Sequence, residues 1–449
     1  MRGYHRFRWV TVAAVAGVIA AGVVAAPASA RVARPAQAST TKEALTASDV
    51  GVSPTEIRVG VIADTGSSLA PGLFQGSVDG VQAWAKYQNA NGGLAGRKVV
   101  VDVYDSALDA NKVRNAIIEA CQKDFALVGT SALFVNNIDD MTACPDSKGV
   151  ATGIPDFPVL TTEVVHQCSP VSYGINPPIL QCETKDQHPQ TYKGPLGGTN
   201  YYLKTFGKSA LHGLFVYPND LKAAKNTQIP AFKAQQAAGI KQDATFDVSG
   251  RATQSAYTPF AQALKDSQAT YARHGGAANG VISLMKEAKL QGVNTVKVWD
   301  CSLQCYDKSI LAAPETEGLY VWTAFLPFKE AKSNKMLANF VKADQKADGF
   351  GLQAFASGLL FAQAVDNVVK AGGSNAVTRA AVLKSVQGIT KFDAEGMLGT
   401  VNPGGKVASG CYVLSQVKKG KFVRVWPKKK GTFDCSPNNT YTIKLDLEN

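Results

Sequence analysis

Between residues 57 and 128 the apolar positions follow two periods in alternation. Ile57, Val59, Val61 and Ile62 carry the β-branched side chains of a buried strand, which Asp64-Thr65-Gly66-Ser67-Ser68 ends with small hydrogen-bonding groups. Val78, Val81, Trp84 and Ala85 then fall on one helical face until Asn91-Gly92-Gly93, residues that tolerate positive φ. Lys98 to Tyr104 predicts a second strand, closed by Asp105-Ser106. Asp109 or Ala110 starts a helix whose apolar face runs through Val113, Ala116, Ile117, Ala120 and Cys121. Ala126 to Val128 predicts a third strand ending at Gly129-Thr130-Ser131, whose hydroxyls suit the cap of a following helix. A strand feeding a helix through a Ser/Thr/Gly loop is the first half of a βαβ unit, and ligands on such sheets sit at those loops.

Farther on, Phe157 to Leu160 predicts a strand with Thr161-Thr162 at its end, and Pro170 to Ile175 a short extended crossing. Asn176 to Gly198, dense in Pro, Gly and polar residues, is expected to be a long surface loop or a lobe boundary. A second βα series follows. Strands are expected over 211–217, 244–248, 269–272 and 296–299, the last with Asp300 at its C-terminal end, and helices over 201–206, 221–239, around Tyr257 to Leu264, and over 279–291. Leu319 to Ala324 is extended and should carry the chain back. Leu352, Phe355, Ala356, Leu359 and Leu360 stripe a long helix stopped by Gly372-Gly373, and a further helix covers 377–386. Tyr412, Leu414 and Val417, the turn Lys419-Gly420-Lys421, then Phe422, Val423 and Val425 form a hairpin.

A chain of 449 residues exceeds what one hydrophobic core serves, so two lobes are expected. Arg2, Arg6 and Arg8 before the apolar run Val10 to Ala26, with Ala28-Ser29-Ala30 as a cleavage site, predict a secretory signal peptide over 1–30. An uncleaved anchor is the competing reading. No cysteine near the cleavage site offers a lipid anchor, and no later segment reads as a membrane span. Residues 31–55, rich in Ala, Ser and Thr, are expected to be a flexible lead. Eight cysteines in an exported chain argue for disulfides, and pairing in sequence order joins Cys121 with Cys144, Cys168 with Cys182, Cys301 with Cys305, and Cys411 with Cys435. A metal site competes weakly, because Cys301-x-x-x-Cys305 has no second pair at ligand spacing. The net charge of +12 raises the question of nucleic acid or an anionic envelope surface, but the basic residues are spread and Lys428-Lys429-Lys430 has no interleaved aromatics. A solvated face is expected there, with no nucleic-acid partner.

The chain has no Gly-x-Ser-x-Gly elbow, no His-Glu-x-x-His, no phosphate loop and no Gly-x-Gly-x-x-Gly after the first strand, so a binding role rather than catalysis is expected, without metal or cofactor. What remains are hydroxyls at strand ends: Ser67 and Ser68, Thr130 and Ser131, Thr161 and Thr162. Each either caps its own helix or, with neighbouring backbone amides, receives a ligand carboxylate. In the second series, Asp300 either holds a ligand ammonium or turns the chain, His274 either donates to a ligand or sits on the surface, and Tyr217 is a ligand wall or plain core. Leu73 and Phe74 pack an apolar ligand tail or only their own loop.

The run Ile57-Arg58-Val59-Gly60-Val61-Ile62, the polar loop with Gly66-Ser67-Ser68, Gly80-Val81, and Asn91-Gly92-Gly93-Leu94-Ala95-Gly96-Arg97-Lys98 together resemble the start of the leucine/isoleucine/valine-type solute-binding proteins of ABC importers. The likeness extends through Val103-Tyr104-Asp105-Ser106, Val128-Gly129-Thr130-Ser131 and Lys418-Lys419-Gly420-Lys421-Phe422-Val423. The resemblance implies an α/β type I periplasmic-binding-protein fold, with two Rossmann-like lobes, three crossings and a small molecule in the cleft. Lobe 1 would comprise 56–175 plus 326–395, and lobe 2 would comprise 176–325 plus 396–449. The first loop, Gly129-Thr130-Ser131 and Thr161-Thr162 would grip an amino acid's carboxylate, with Asp300 as the ammonium partner. A Cys121–Cys144 disulfide would match relatives. The expected protein is a secreted or cell-envelope monomer that closes on a small polar ligand, an amino acid or related carboxylate or amide, and delivers it to a membrane permease. A ligand sensor on the same fold and a secreted hydrolase are the alternatives. The chain departs from the family pattern in the Asn176 to Gly198 stretch, in Cys301-x-x-x-Cys305 and in lacking a lipid-anchoring cysteine.

Overall fold

The structure is a computed structural model that describes residues 44–68, 71–220, 222–344 and 346–447. The expected signal peptide and the lead up to residue 43 lie outside the described residues. Two sheets organise the rest. In the first, β1 (Glu56–Ala63), β2 (Lys98–Asp105), β3 (Ala126–Val128) and β4 (Asp156–Phe157) run parallel in the order β2-β1-β3-β4. β1 is apolar on both faces because helices cover both sides of a parallel sheet, so Ile57, Val59, Val61 and Ile62 are all fully buried.

A short strand, β5 (Gln190–Pro195), comes before the second sheet. That sheet comprises β6 (His212–Pro218), β7 (Lys241–Val248), β8 (Tyr271–His274), β9 (Val298–Cys301), β10 (Tyr320–Thr323), β11 (Val413–Val417) and β12 (Phe422–Trp426), in the order β12-β11-β10-β9-β8-β6-β7. Five strands are parallel, and the hairpin β11–β12 adds two antiparallel strands at one edge. Its turn holds Lys419 and Gly420 at positive φ, as a two-residue hairpin turn requires. The chain passes between the sheets after β4, after β10 and again before β11.

Helix Gln75–Ala90 and the long helix Gly349–Gly372 lock together on the first sheet although 274 positions separate their starts. A Cβ on Gly80 would stand 2.1 Å from the Gly351 carbonyl oxygen, and one on Gly358 would run into the Trp84 ring, so two bare backbone positions set how closely the helices approach. Edge contacts of Trp84 with Phe361 and of Phe74 with Phe350 fill the seam. Helix Gly349–Gly372 has the length and mean hydropathy of a membrane span, contrary to the expectation that no later segment does. Its apolar character serves burial inside the fold, since Leu352, Phe355, Leu360 and Phe361 are all fully buried.

Two further expectations change. Residues 44–55, expected within a flexible lead, are held in place by buried side chains. The buried Arg97 guanidinium donates to the carbonyls of Thr46 and Ser53, and buried Asp49 accepts from the amides of Ser147 and Arg379. The Asn176 to Gly198 stretch is not all loop. It holds β5, which pairs antiparallel with β13 (Thr440–Leu445) in a small third sheet, Thr440 opposite Pro195 and Leu445 opposite Gln190. The cysteines pair as Cys121–Cys144, Cys168–Cys182, Cys301–Cys305 and Cys411–Cys435.

Asp124 follows helix Ala110–Lys123 and is fully buried, where its Oδ2 accepts from the Tyr104 hydroxyl at 2.7 Å. Burial, reinforced by Asp102, pushes its carboxyl up to about 7. A carboxyl raised in the folded state stabilises the fold below its unfolded pKa, and that contribution drains away as pH rises through the folded value. Asp124→Asn should therefore flatten the fall in stability between pH 4 and 7 by up to about 1 kcal/mol per pH unit. Its advantage over the parent should be largest above pH 7. Denaturant unfolding across that pH range is the measurement, and equal slopes for the two proteins would refute the assignment.

Candidate functional site

Loops at the C-terminal ends of both parallel sheets meet around one cavity of about 590 Å³. The first sheet contributes Leu73 and Phe74 after β1, Leu133 after β3, and Val159 to Thr162 after β4. The second contributes Gly275 to Asn279 after β8, Ser302 to Gln304 after β9, and Trp322 to Ala324 at the end of β10. Asn176 at the first crossing and Gln353 on helix Gly349–Gly372 also line it, joined by reciprocal amide hydrogen bonds of 3.1 and 3.3 Å. The third sheet closes a side with Pro195 and Tyr441. Most of this wall is apolar, the usual character of a small-molecule pocket.

Loop positions are held from beneath. Buried Asp64 accepts from the Ser106 hydroxyl and the Leu108 amide through Oδ1, and from the Leu133 amide through Oδ2. One carboxylate thus ties together the chain after β1, β2 and β3. In the second sheet the Cys301–Cys305 disulfide closes the loop 302–304, all three of whose residues line the cavity.

Three charged side chains line the cavity, Arg273, Asp307 and Asp348. Arg273 stands opposite Asp300 in the β8–β9 register, is 4% exposed, and donates through Nη1 to Asp300 Oδ2 at 2.7 Å. Asp348 caps helix Gly349–Gly372 by accepting from the Gly351 amide, and burial, with Asp307, Asp344 and Asp79 nearby, pushes its carboxyl up to about 6. Among the described residues no cluster of side chains suits a metal ion.

A family model described as periplasmic binding protein matches residues 56–421. The chain belongs to the periplasmic binding protein family. Solved structures agree on the type I fold. A fatty acid ABC transporter substrate-binding protein from Thermomonospora curvata superposes with a TM-score of 0.64 at 15% identity, over 86% of this chain and 97% of that one. A leucine binding protein from Thermotoga maritima gives 0.61 at 15% over 82% and 97%, and a branched-chain amino acid substrate-binding protein from Streptococcus pneumoniae, solved with isoleucine, gives 0.60 at 14% over 83% and 100%. No curated protein matches the chain.

In this binding protein the strand-end residues divide. Thr161 and Thr162 line the cavity, together with Leu73 and Phe74. Thr162 gives its hydroxyl to the Leu133 carbonyl, and Thr161 is half-buried. Thr130 and Ser131 turn into the core instead. Thr130 donates to Asp156 at 2.7 Å, and Ser131 Oγ lies 2.7 Å from Ser77 Oγ, so they join β3 to β4 and to helix Gln75–Ala90 rather than capping a helix. Ser67 is buried and Ser68 exposed. Tyr217 flanks the core cluster of Tyr202, Phe215 and Tyr271.

His274 is buried, not on the surface. Its Nδ1 accepts from the Gly276 amide at 2.9 Å, Nε2 faces the Tyr257 hydroxyl at 3.4 Å, and burial pushes the imidazole down to about 4. It shapes the Gly275-Gly276 loop as a neutral ring. Asp300 departs furthest from expectation. β9 extends to Cys301, so Asp300 points into the sheet's core, where Oδ1 accepts from Tyr202 and Oδ2 from Gln235, Tyr271 and Arg273. A carboxylate so fully engaged has no place for a ligand ammonium. Arg273 was not picked out by the strand pattern, although a charged residue inside the apolar strand Tyr271–His274 is a signal for a buried partner. Tyr441 had no comparable signal.

Removing one member of a buried ion pair leaves the other uncompensated, at a cost of about 3–5 kcal/mol. Asp300→Asn is expected to lower stability by that order, and the double variant Asp300→Asn/Arg273→Met to recover a large part of it. A double-mutant cycle in urea checks this, and strictly additive losses would exclude the coupling.

Proposed function

We propose that this chain is an extracytoplasmic solute-binding protein that encloses a small organic solute bearing an acid or amide group and hands it, as a monomer, to the membrane permease of an ABC importer. The observation that carries the reading is the cavity itself, because its walls come from the strand ends of both sheets. We place the lobes at 56–175 plus 326–395 and 176–325 plus 396–449, with the three crossings as the hinge. A solute touching both lobes favours the closed form by the contacts that only the closed form completes. The binding proteins it resembles are named for fatty acid, leucine and branched-chain amino acid, all of which carry a carboxylate. Binding without chemistry fits a site whose histidine and buried carboxylates are occupied in holding loops.

Purified protein lacking residues 1–30 should be stabilised by at least one member of a panel of organic acids, amides, amino acids and sugars. The gain should reach about 2.7 kcal/mol at roughly a hundred times Kd. Small-angle scattering should show a smaller radius of gyration with the same compound. If no panel member produces either change, capture of a small solute is abandoned.

A further inference from the structure

Polar atoms around the cavity are unevenly satisfied. Four lining residues carry a buried side-chain nitrogen or oxygen without a hydrogen-bond partner: Arg273 at Nε, Trp322 at Nε1, Gln304 at Nε2 and Gln228 at Oε1. All four belong to the second sheet or the helix and loop that flank it. Three of the four atoms are donors, and one sits on a guanidinium. Buried donors left without a partner cost free energy, and these atoms, each with almost no accessible surface, could gain an acceptor only as the two walls close on a ligand.

The opposite wall differs. Leu73, Phe74, Leu133, Val159, Leu160 and Phe350 present apolar surface from the first lobe. Of the hydroxyls that could have offered donors there, Thr130 and Ser131 are engaged inside the core and Thr162 donates to the Leu133 carbonyl, which leaves Thr161 on this wall. The cavity between the walls has a volume of about 590 Å³. The Arg273 guanidinium is already oriented by Asp300 and lies over the Phe232 ring at 5.7 Å, so its direction is set before an anion arrives. Asp307 and Asp348, the cavity's own carboxylates, disfavour a second anion beside them and so help to direct an acid group towards Arg273.

We infer that the cavity takes an organic acid with an extended apolar body, its carboxylate against Arg273 and Trp322 on the second sheet and its body along the apolar loops of the first. This assignment rests on the solute-binding reading above and names the class of solute for that same site. It reverses the polarity implied by the family resemblance, in which first-lobe hydroxyls would take the acid group and a second-lobe carboxylate the ammonium. Tyr441, which lies beyond the stretch matched by the family model, lines the same cavity.

Titration calorimetry on the mature protein separates the possibilities, with octanoic, decanoic and dodecanoic acid, the matching alcohols, leucine, phenylacetic acid and glucose as probes. The acids should bind at least about tenfold more tightly than their alcohols, the difference expected of a charge-assisted hydrogen bond. Arg273→Gln should abolish that preference. Because Arg273→Gln can also unsettle the fold, Trp322→Phe, which removes one N–H and keeps the ring, is the second variant. It should weaken acid binding about three- to tenfold and leave alcohol binding unchanged. Acids and alcohols of equal affinity, leucine binding more tightly than every alkanoic acid, or an unchanged acid preference in both variants would each overturn the assignment. Tight binding of leucine or glucose alone would do so while leaving the solute-binding reading intact. No binding by any probe would count against both.

Discussion

Inside the second sheet one carboxylate collects four donors. Asp300 accepts from Tyr202 and Tyr271 at 2.9 and 2.7 Å, from Gln235 at 3.1 Å and from Arg273 at 2.7 Å. An ion pair removed from water survives only where geometry and further hydrogen bonds offset desolvation, and here Oδ2 of Asp300 accepts three hydrogen bonds and Oδ1 one. The phenol hydroxyls bring in helix Thr199–Phe206 and β8, and the glutamine brings in helix Lys222–Ala238. The sheet, both flanking helices and the cavity's only buried arginine among the described residues are therefore fixed relative to one group.

This arrangement gives the cavity a direction. Rigid, apolar loops tied together by Asp64 form one wall, and a guanidinium with its orientation already set forms the other. Affinity in such a site owes more to preorganisation than to area, because little side-chain freedom is left to lose on binding. Disulfide Cys301–Cys305 works to the same end by holding the 302–304 loop.

Most of the fold was legible because it rests on local periodicity. β1 to β3 fall where the alternating apolar runs place them, Asp109 caps helix Ala110–Lys123 as its position implies, and the turn at Lys419-Gly420 is in the chain's own chemistry. The site was less legible, because side-chain direction depends on where a strand ends. β9 runs to Cys301, past the Trp299 expected as its last residue, which moves Asp300 from a loop into the core. Ser131 reads as a loop hydroxyl but meets Ser77 across 54 positions, and no local pattern announces that contact. Helix Gly349–Gly372 reads from its sequence as a helix with one apolar stripe, and no local pattern tells that Gly80 and Gly358 let it meet helix Gln75–Ala90 backbone to backbone.

The small sheet of β5 and β13 joins positions some 250 residues apart, Thr440 lying opposite Pro195 and Leu445 opposite Gln190. Closing so long a span is entropically slow and needs the rest of the molecule as a platform. Tyr441 and Pro195 can reach the cavity only after that late zippering. A chain of this design stays open on that side of the cavity until β13 pairs with β5.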